Sequence, residues 1–99
     1  MSYFNQHSRP NKKYYVYSLN LKNGKKYVGM TSNPQKRFDD HFSGNGSAWC
    51  QKYKPISINH IQQCKNKSNA KKAETIVYHN MKNYHGGDKV RGAGHTRSY

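Results

Sequence analysis

Two tyrosines, an arginine and a histidine stand at even intervals in the first half of this chain. Tyr17 and Tyr27 are ten residues apart, Arg37 follows ten later, and His41 lies one helical turn beyond. Phenol, guanidinium and imidazole together suit the handling of one phosphate. A guanidinium offers a fixed fork of donors that matches phosphate oxygens. Phenols and imidazoles can give or take a proton beside them. The later half supplies the chain's one glutamate, Glu74, among only four acidic residues.

These groups need a frame, and the same stretch provides it. YYVYSLNL (14–21) is rich in aromatic and β-branched residues and reads as a strand. Alternation puts Tyr15, Tyr17 and Leu19 on one face and Tyr14, Val16 and Ser18 on the other. Asn23-Gly24 is a hairpin turn signal, and KKYVGM (25–30) is the return strand. Gly29, near its end, marks a close approach to the backbone. Asn33-Pro34 opens a helix that runs to about Ser43 and stops at Gly44-Asn45-Gly46. Phe38 and Phe42 are expected to face the core, with Arg37 and His41 on a neighbouring face.

Ser47 caps a short turn, Ala48 to Tyr53, with Trp49 packed on the sheet. PISINHIQQC (55–64) reads as a third strand with Ile56 and Ile58 on one side. Ile58 and Ile61 can share a face only across a bulge. A second long helix, about Asn69 to Tyr84 with Ser68 as cap, carries the stripe Ala70, Ala73, Val77, Met81 and Tyr84. Gly86-Gly87 ends it. The expected organisation is a flexible basic and polar tail (1–12), one domain (13–92) and a basic tail (93–99). The fold class is α/β (α+β): a small, three-stranded, mainly antiparallel sheet flanked by helices.

Eighteen Lys and Arg against four Asp and Glu give a formal charge of +14. Such self-repulsion points to a polyanionic partner. No twenty-residue apolar run and no strongly amphipathic apolar helix is present, which argues against a membrane. The opening MSYFNQHSRPNKK has no apolar signal-peptide core, so an intracellular site, cytoplasmic or nuclear, is expected rather than secretion. Cys50 and Cys64 are then expected to be reduced thiols. The six histidines show no zinc-type spacing. Lys25, Lys26, Lys36, Lys52, Lys54 and Arg91 are candidate contacts to nucleic acid. Trp49 and Tyr53 interleave with the lysines in the manner of a strand-tracking groove.

Tyr15-Val16-Tyr17 and Tyr27-Val28-Gly29, followed by Arg37 on the first helix, resemble the GIY-YIG nuclease family. The resemblance covers roughly residues 14–92. It implies a stand-alone nuclease domain that hydrolyses DNA phosphodiester bonds with one Mg²⁺ or Mn²⁺ held by Glu74. In that frame Arg37 clamps the phosphate and Tyr17 is the general base, its pKa lowered by the surrounding positive charge. Tyr27 is the second phenol, and His41 relays a proton. Tyr15 replaces the family's opening glycine, and Met30 replaces a common lysine. A catalytically silent nucleic-acid-binding module of the same fold is the alternative; a small RNA-binding protein is a third reading. The expected partner is DNA, branched or single-stranded forms included, with no small-molecule cofactor. The chain is expected to act as a monomer or a transient homodimer.

The charge balance makes a testable prediction. If six to ten phosphates are neutralised, affinity for DNA should fall by roughly 10³–10⁵ between about 50 and 200 mM salt. Fluorescence anisotropy of labelled DNA across that range checks it, and a flat response would reject the electrostatic reading.

Overall fold

The structure, a computed structural model, describes residues 13–92. The two expected tails, 1–12 and 93–99, lie outside the described residues. In chain order the elements are β1 (Tyr14–Leu21), β2 (Lys26–Thr31), α1 (Pro34–Ser43), α2 (Ala48–Lys52), β3 (Pro55–Cys64), α3 (Lys67–His85) and β4 (Val90–Gly92). The sheet order is β3-β1-β2-β4. β1 pairs antiparallel with both β2 and β3, and β4 pairs parallel with β2.

The β1–β2 connection is a tight 3₁₀ turn over Lys22–Gly24 in which Asn23 and Gly24 both take positive φ, 63° and 71°. Pro34 begins α1, and the Asn33 side chain accepts a hydrogen bond from the Lys36 amide. Ser47 caps α2 in the same way through the Cys50 amide.

Side-chain alternation along β1 divides the core into two layers. Tyr17, Leu19, Leu21 and Tyr27 form one with Trp49 and Cys50, with Phe38 and Tyr53 packed against it. Val16 and Cys64 meet Ala70 of α3 on the other side, flanked by Tyr14, Met30, Ala73 and Val77. Val28, Tyr78 and Val90 continue this second layer. The sheet is therefore sandwiched, α1 and α2 on one face and α3 on the other. Cys50 and Cys64 are free, buried thiols in different layers. Among the described residues no helix is long and apolar enough to cross a membrane.

The structure departs from the expectations in four places. Among the described residues the sheet has four strands rather than three, because Val90 is drawn under Val28 and Tyr78 while Gly92 lies against Val28 in the parallel register. Asn66, not Ser68, caps α3, accepting from the Asn69 amide, so the helix starts earlier. The apolar stripe of α3 is turned so that Tyr78 is buried and Tyr84 exposed. On α1, Phe38 packs inward but Phe42 is exposed, and His41 takes the buried place.

The third strand carries the foreseen bulge. Ser18 pairs with His60 and Leu19 with Ile58, so Asn59 is the extra residue, and a second shift lies between Asn20 and Leu21. The isoleucines nonetheless stay exposed: Ile56 at 62 %, Ile58 at 45 % and Ile61 at 46 %. β3 is an outer strand, and none of its isoleucines joins a buried cluster.

β4 is short, yet Val90 is wholly buried. Val90→Ala should therefore cost about 2 kcal/mol, as for other buried aliphatic truncations. Urea unfolding measures this, and an unchanged midpoint would mean that β4 contributes nothing to the core.

Candidate active site

The sheet face under α1 and α2 gathers the evenly spaced residues. Tyr17 and Tyr27 stand on adjacent strands, with ring centroids 6.3 Å apart. Capping by Asn33 fixes where α1 starts, and that start sets which residues one turn apart look inward. Phe38 then meets the Tyr17 ring edge-on at 5.2 Å. The His41 ring lies 5.7 Å from Tyr17 and 5.1 Å from Tyr27. A 2.8 Å hydrogen bond joins the Tyr17 hydroxyl to His41 Nε2. Both groups are buried. Arg37, one turn before His41, acts on both phenol oxygens through its charge and its donors.

The electrostatics correct one expectation. Tyr17 has its pKa pushed well above the ordinary phenol value, not lowered. Burial is the main cause, reinforced by Tyr27; the guanidinium of Arg37 opposes it and loses. Burial also raises Tyr27, again against Arg37. The phenols in turn hold Arg37 more firmly protonated, outweighing its own desolvation. His41 is lowered to about 4, chiefly by burial, then by Arg37, with Asp40 opposing. The resting cluster is therefore two neutral phenols and a neutral imidazole beside one fixed cation.

Two glycines make room for this cluster. A Cβ on Gly29 would come within 2.6 Å of the Tyr17 hydroxyl, so the close approach signalled by the sequence is made by that phenol. A Cβ on Gly46 would run into His41 Nδ1. Sequence reasoning took Gly44-Asn45-Gly46 only as a helix stop and missed this second use. It also missed Cys50, buried in the same layer with its thiol pKa raised by burial, and Ser47, whose side chain acts on Tyr27. Small residues after a helix stop give no signal of what they pack against.

Glu74 lies on α3, the helix of the opposite layer. It is 8 % exposed, and burial raises its pKa against the pull of Lys71. No hydrogen bond or ion pair links it to another described residue. Met30 belongs to that side as well, packed near Val16, Cys64 and Ala70 rather than beside Tyr17. No group of three or more His, Cys, Asp or Glu gathers among the described residues. A poorly hydrated carboxylate that no described residue hydrogen-bonds is a donor that suits Mg²⁺ or Mn²⁺, ions that complete their shells with water and phosphate oxygen.

The candidate nucleic-acid contacts divide. Trp49 donates its indole N–H to the Lys26 carbonyl at 2.9 Å, which seats α2 on the sheet. Its ring and that of Tyr53, 4.7 Å apart, carry a shell of cations. Lys25 Nζ lies 5.8 Å from the Trp49 centroid and 5.1 Å from that of Tyr53, Lys52 lies 5.5 Å from Tyr53, and Arg91 lies 4.6 Å from Trp49. Lys54 lines a cleft of about 330 Å³ with His41, Phe42, Cys50 and Pro55. Lys26 is turned to Asn20 (2.8 Å) and Lys36 to Asp40 (3.2 Å).

Two tyrosines on paired strands of a mixed sheet and an arginine on the following helix thus share one site. The sequence matches the family model described as the GIY-YIG catalytic domain over residues 13–89, and the chain belongs to the GIY-YIG family. It is similar to a UPF0213 protein of Enterococcus faecalis, 34 % identical over 65 residues, 64 % of this chain and 74 % of that one. A Fusobacterium nucleatum UPF0213 protein is 28 % identical over 64 residues, 65 % of this chain and 64 % of that one. One from Pseudomonas aeruginosa is 29 % identical over 62 residues, 63 % of this chain and 60 % of that one. For these last two, the match spans less than two thirds of the relative's length. No solved structure matches the chain significantly.

The lowered pKa of His41 has a consequence for folding. From an ordinary value of 6.5 it falls to about 4 in the folded protein. As pH drops, the unfolded chain takes its proton first, so His41 favours folding fully above about 6.5 and loses that contribution down to about 4. The loss should reach roughly 2–3 kcal/mol. Urea midpoints measured against pH should decline over this window, and His41→Gln should flatten that part of the decline.

Proposed function

We propose that this protein is a divalent-metal-dependent endonuclease that hydrolyses DNA phosphodiester bonds. The observation that carries the reading is the buried 2.8 Å bond between the Tyr17 hydroxyl and His41 Nε2, within the influence of Arg37. A dry phenol that stays protonated at neutral pH cannot accept a proton unless it passes its own on. A neutral imidazole on its oxygen supplies the place. In the tautomer with its proton on Nδ1, His41 accepts from Tyr17 at Nε2. As a water attacks phosphorus, its proton moves to the Tyr17 oxygen and the phenolic proton moves to Nε2.

An imidazolium beside Arg37 is unfavourable in the empty site. A bound phosphate adds negative charge next to both, so the transfer becomes favourable only with substrate in place. Arg37 holds the phosphate oxygens and opposes the charge that builds on them. Tyr27 offers a second phenol to the water or the phosphate. Glu74, in the α3 layer rather than beside Tyr17, is the carboxylate that would hold the metal ion, and a bound ion would supply positive charge against phosphate oxygens. Lys25, Lys52, Lys54 and Arg91, with the faces of Trp49 and Tyr53, would follow the strand's backbone and give position without sequence preference. Lys26 and Lys36 contribute general positive charge.

Nicking of supercoiled plasmid in Mg²⁺ or Mn²⁺ tests the proposal. Tyr17→Phe and His41→Gln should each slow nicking by about 10²–10⁴, the usual range for a general base and its partner. Glu74→Gln should abolish metal-dependent nicking and leave DNA binding as strong or stronger. Arg37→Ala should lose both nicking and affinity. Wild-type cleavage that survives Glu74→Gln would overturn the metal assignment. A wild type that binds DNA and never nicks it would leave the binding module as the function.

A further inference from the structure

β3 is an outer strand of the sheet, ten residues long, and its far edge pairs with nothing among the described residues. Sheet edges are normally blunted by charge, proline or bulges, since unpaired N–H and C=O groups recruit other strands. Here the blunting is confined to one half. Pro55 and both register shifts lie on the Pro55–Asn59 side, while His60 to Cys64 runs regularly against Ser18 to Tyr14. PISINHIQQC contains no Lys, Arg, Asp or Glu, in a chain whose charged residues make up 22 %. Ile61 stands half-exposed near the start of the regular half, on the face it shares with Tyr17.

We infer that the β3 edge centred on Ile61, His60–Gln62, pairs antiparallel with the same edge of a second copy. A strand edge is met by another strand, and an antiparallel pair is self-complementary about a two-fold axis. Two copies of a +14 chain repel, and this neutral edge lets them approach without lysines facing lysines. An acidic partner would call for cations on the edge, and none is there.

The axis passes beside Ile61, so Ile61 faces Ile61 of the second copy and Gln62 faces its His60. The axis is normal to the sheet, so both α1–α2 faces point the same way. Three strand spacings of about 4.8 Å then separate the two β1 strands by roughly 14 Å. If the nuclease reading holds, two sites on one side of a continuous sheet can address both strands of a duplex. The pairing itself does not depend on that reading.

Sedimentation equilibrium of the full chain, in salt high enough to screen its charge, tests the pairing directly. The expected result is a monomer–dimer equilibrium that Ile61→Lys shifts to monomer, with the far-ultraviolet circular dichroism unchanged. Ile61→Cys, under mild oxidation, should cross-link to a dimer, since facing Cβ atoms lie about 5 Å apart. Ile76→Cys, on the exposed side of α3, is the control and should stay monomeric. A wild type that remains monomeric at every concentration overturns the inference, whether the edge is free or covered by the chain's own tails. A dimer that persists in Ile61→Lys overturns it too. None of these measurements involves cleavage, so a failed dimer and a failed nuclease are separate results.

Discussion

A hydrogen bond made out of reach of water sets the terms of this fold. Tyr17 on β1 and His41 on α1 are 24 residues apart, and each is buried. Truncating either partner strands the other's polar atom in the interior, at a cost of about 1–3 kcal/mol. The pair therefore fixes the rotation of α1 over the sheet. That is why His41 turns inward while Phe42, the more apolar neighbour, is left exposed. Gly29 and Gly46 lack side chains where this pair needs room, and Phe38 and Tyr27 wall it in.

The same enclosure shapes the electrostatics. Positive charge alone would ionise the phenols, but desolvation is larger and keeps them neutral. Arg37 stays the one fixed cation of the cluster and opposes any second positive charge on His41. Most of the remaining charge is spread over the surface, where lysines lie against Trp49 and Tyr53 or reach solvent. The arrangement separates a dry reactive centre from a wet, cationic approach to it.

Much of the frame was legible because its signals are local. Asn23-Gly24 fixed the turn, Asn33-Pro34 the start of α1, and Ser47 the short helix. The spacing of Ile58 and Ile61 demanded a bulge. The unreadable parts depend on tertiary contact. Three residues, Val90 to Gly92, are too few for any period to show, and in a glycine-rich basic stretch they read as loop. Phe42 and Tyr84 were placed inward by hydrophobicity, which took no account of a polar pair or of where α3 begins. At the site, the spacing of Tyr17, Tyr27, Arg37 and His41 led to residues that do come together. The direction of the Tyr17 shift could not be read, because burial of a side chain is not a property of its neighbours in sequence. The depth of Glu74 in the second layer was hidden for the same reason.

The parallel pairing of β4 with β2 governs the order in which the molecule can form. The β1–β2 hairpin and the two long helices are assembled from neighbours, but Val28 must wait for Val90, more than sixty residues later, to complete its cluster. Closing so long a loop carries an entropic cost that is repaid only when the contact forms. Until then the layer that holds Tyr78 stays open on the Val90 side. A folding chain can thus shape the Tyr17–His41 face early and remain unlocked on its reverse side until Val90 docks.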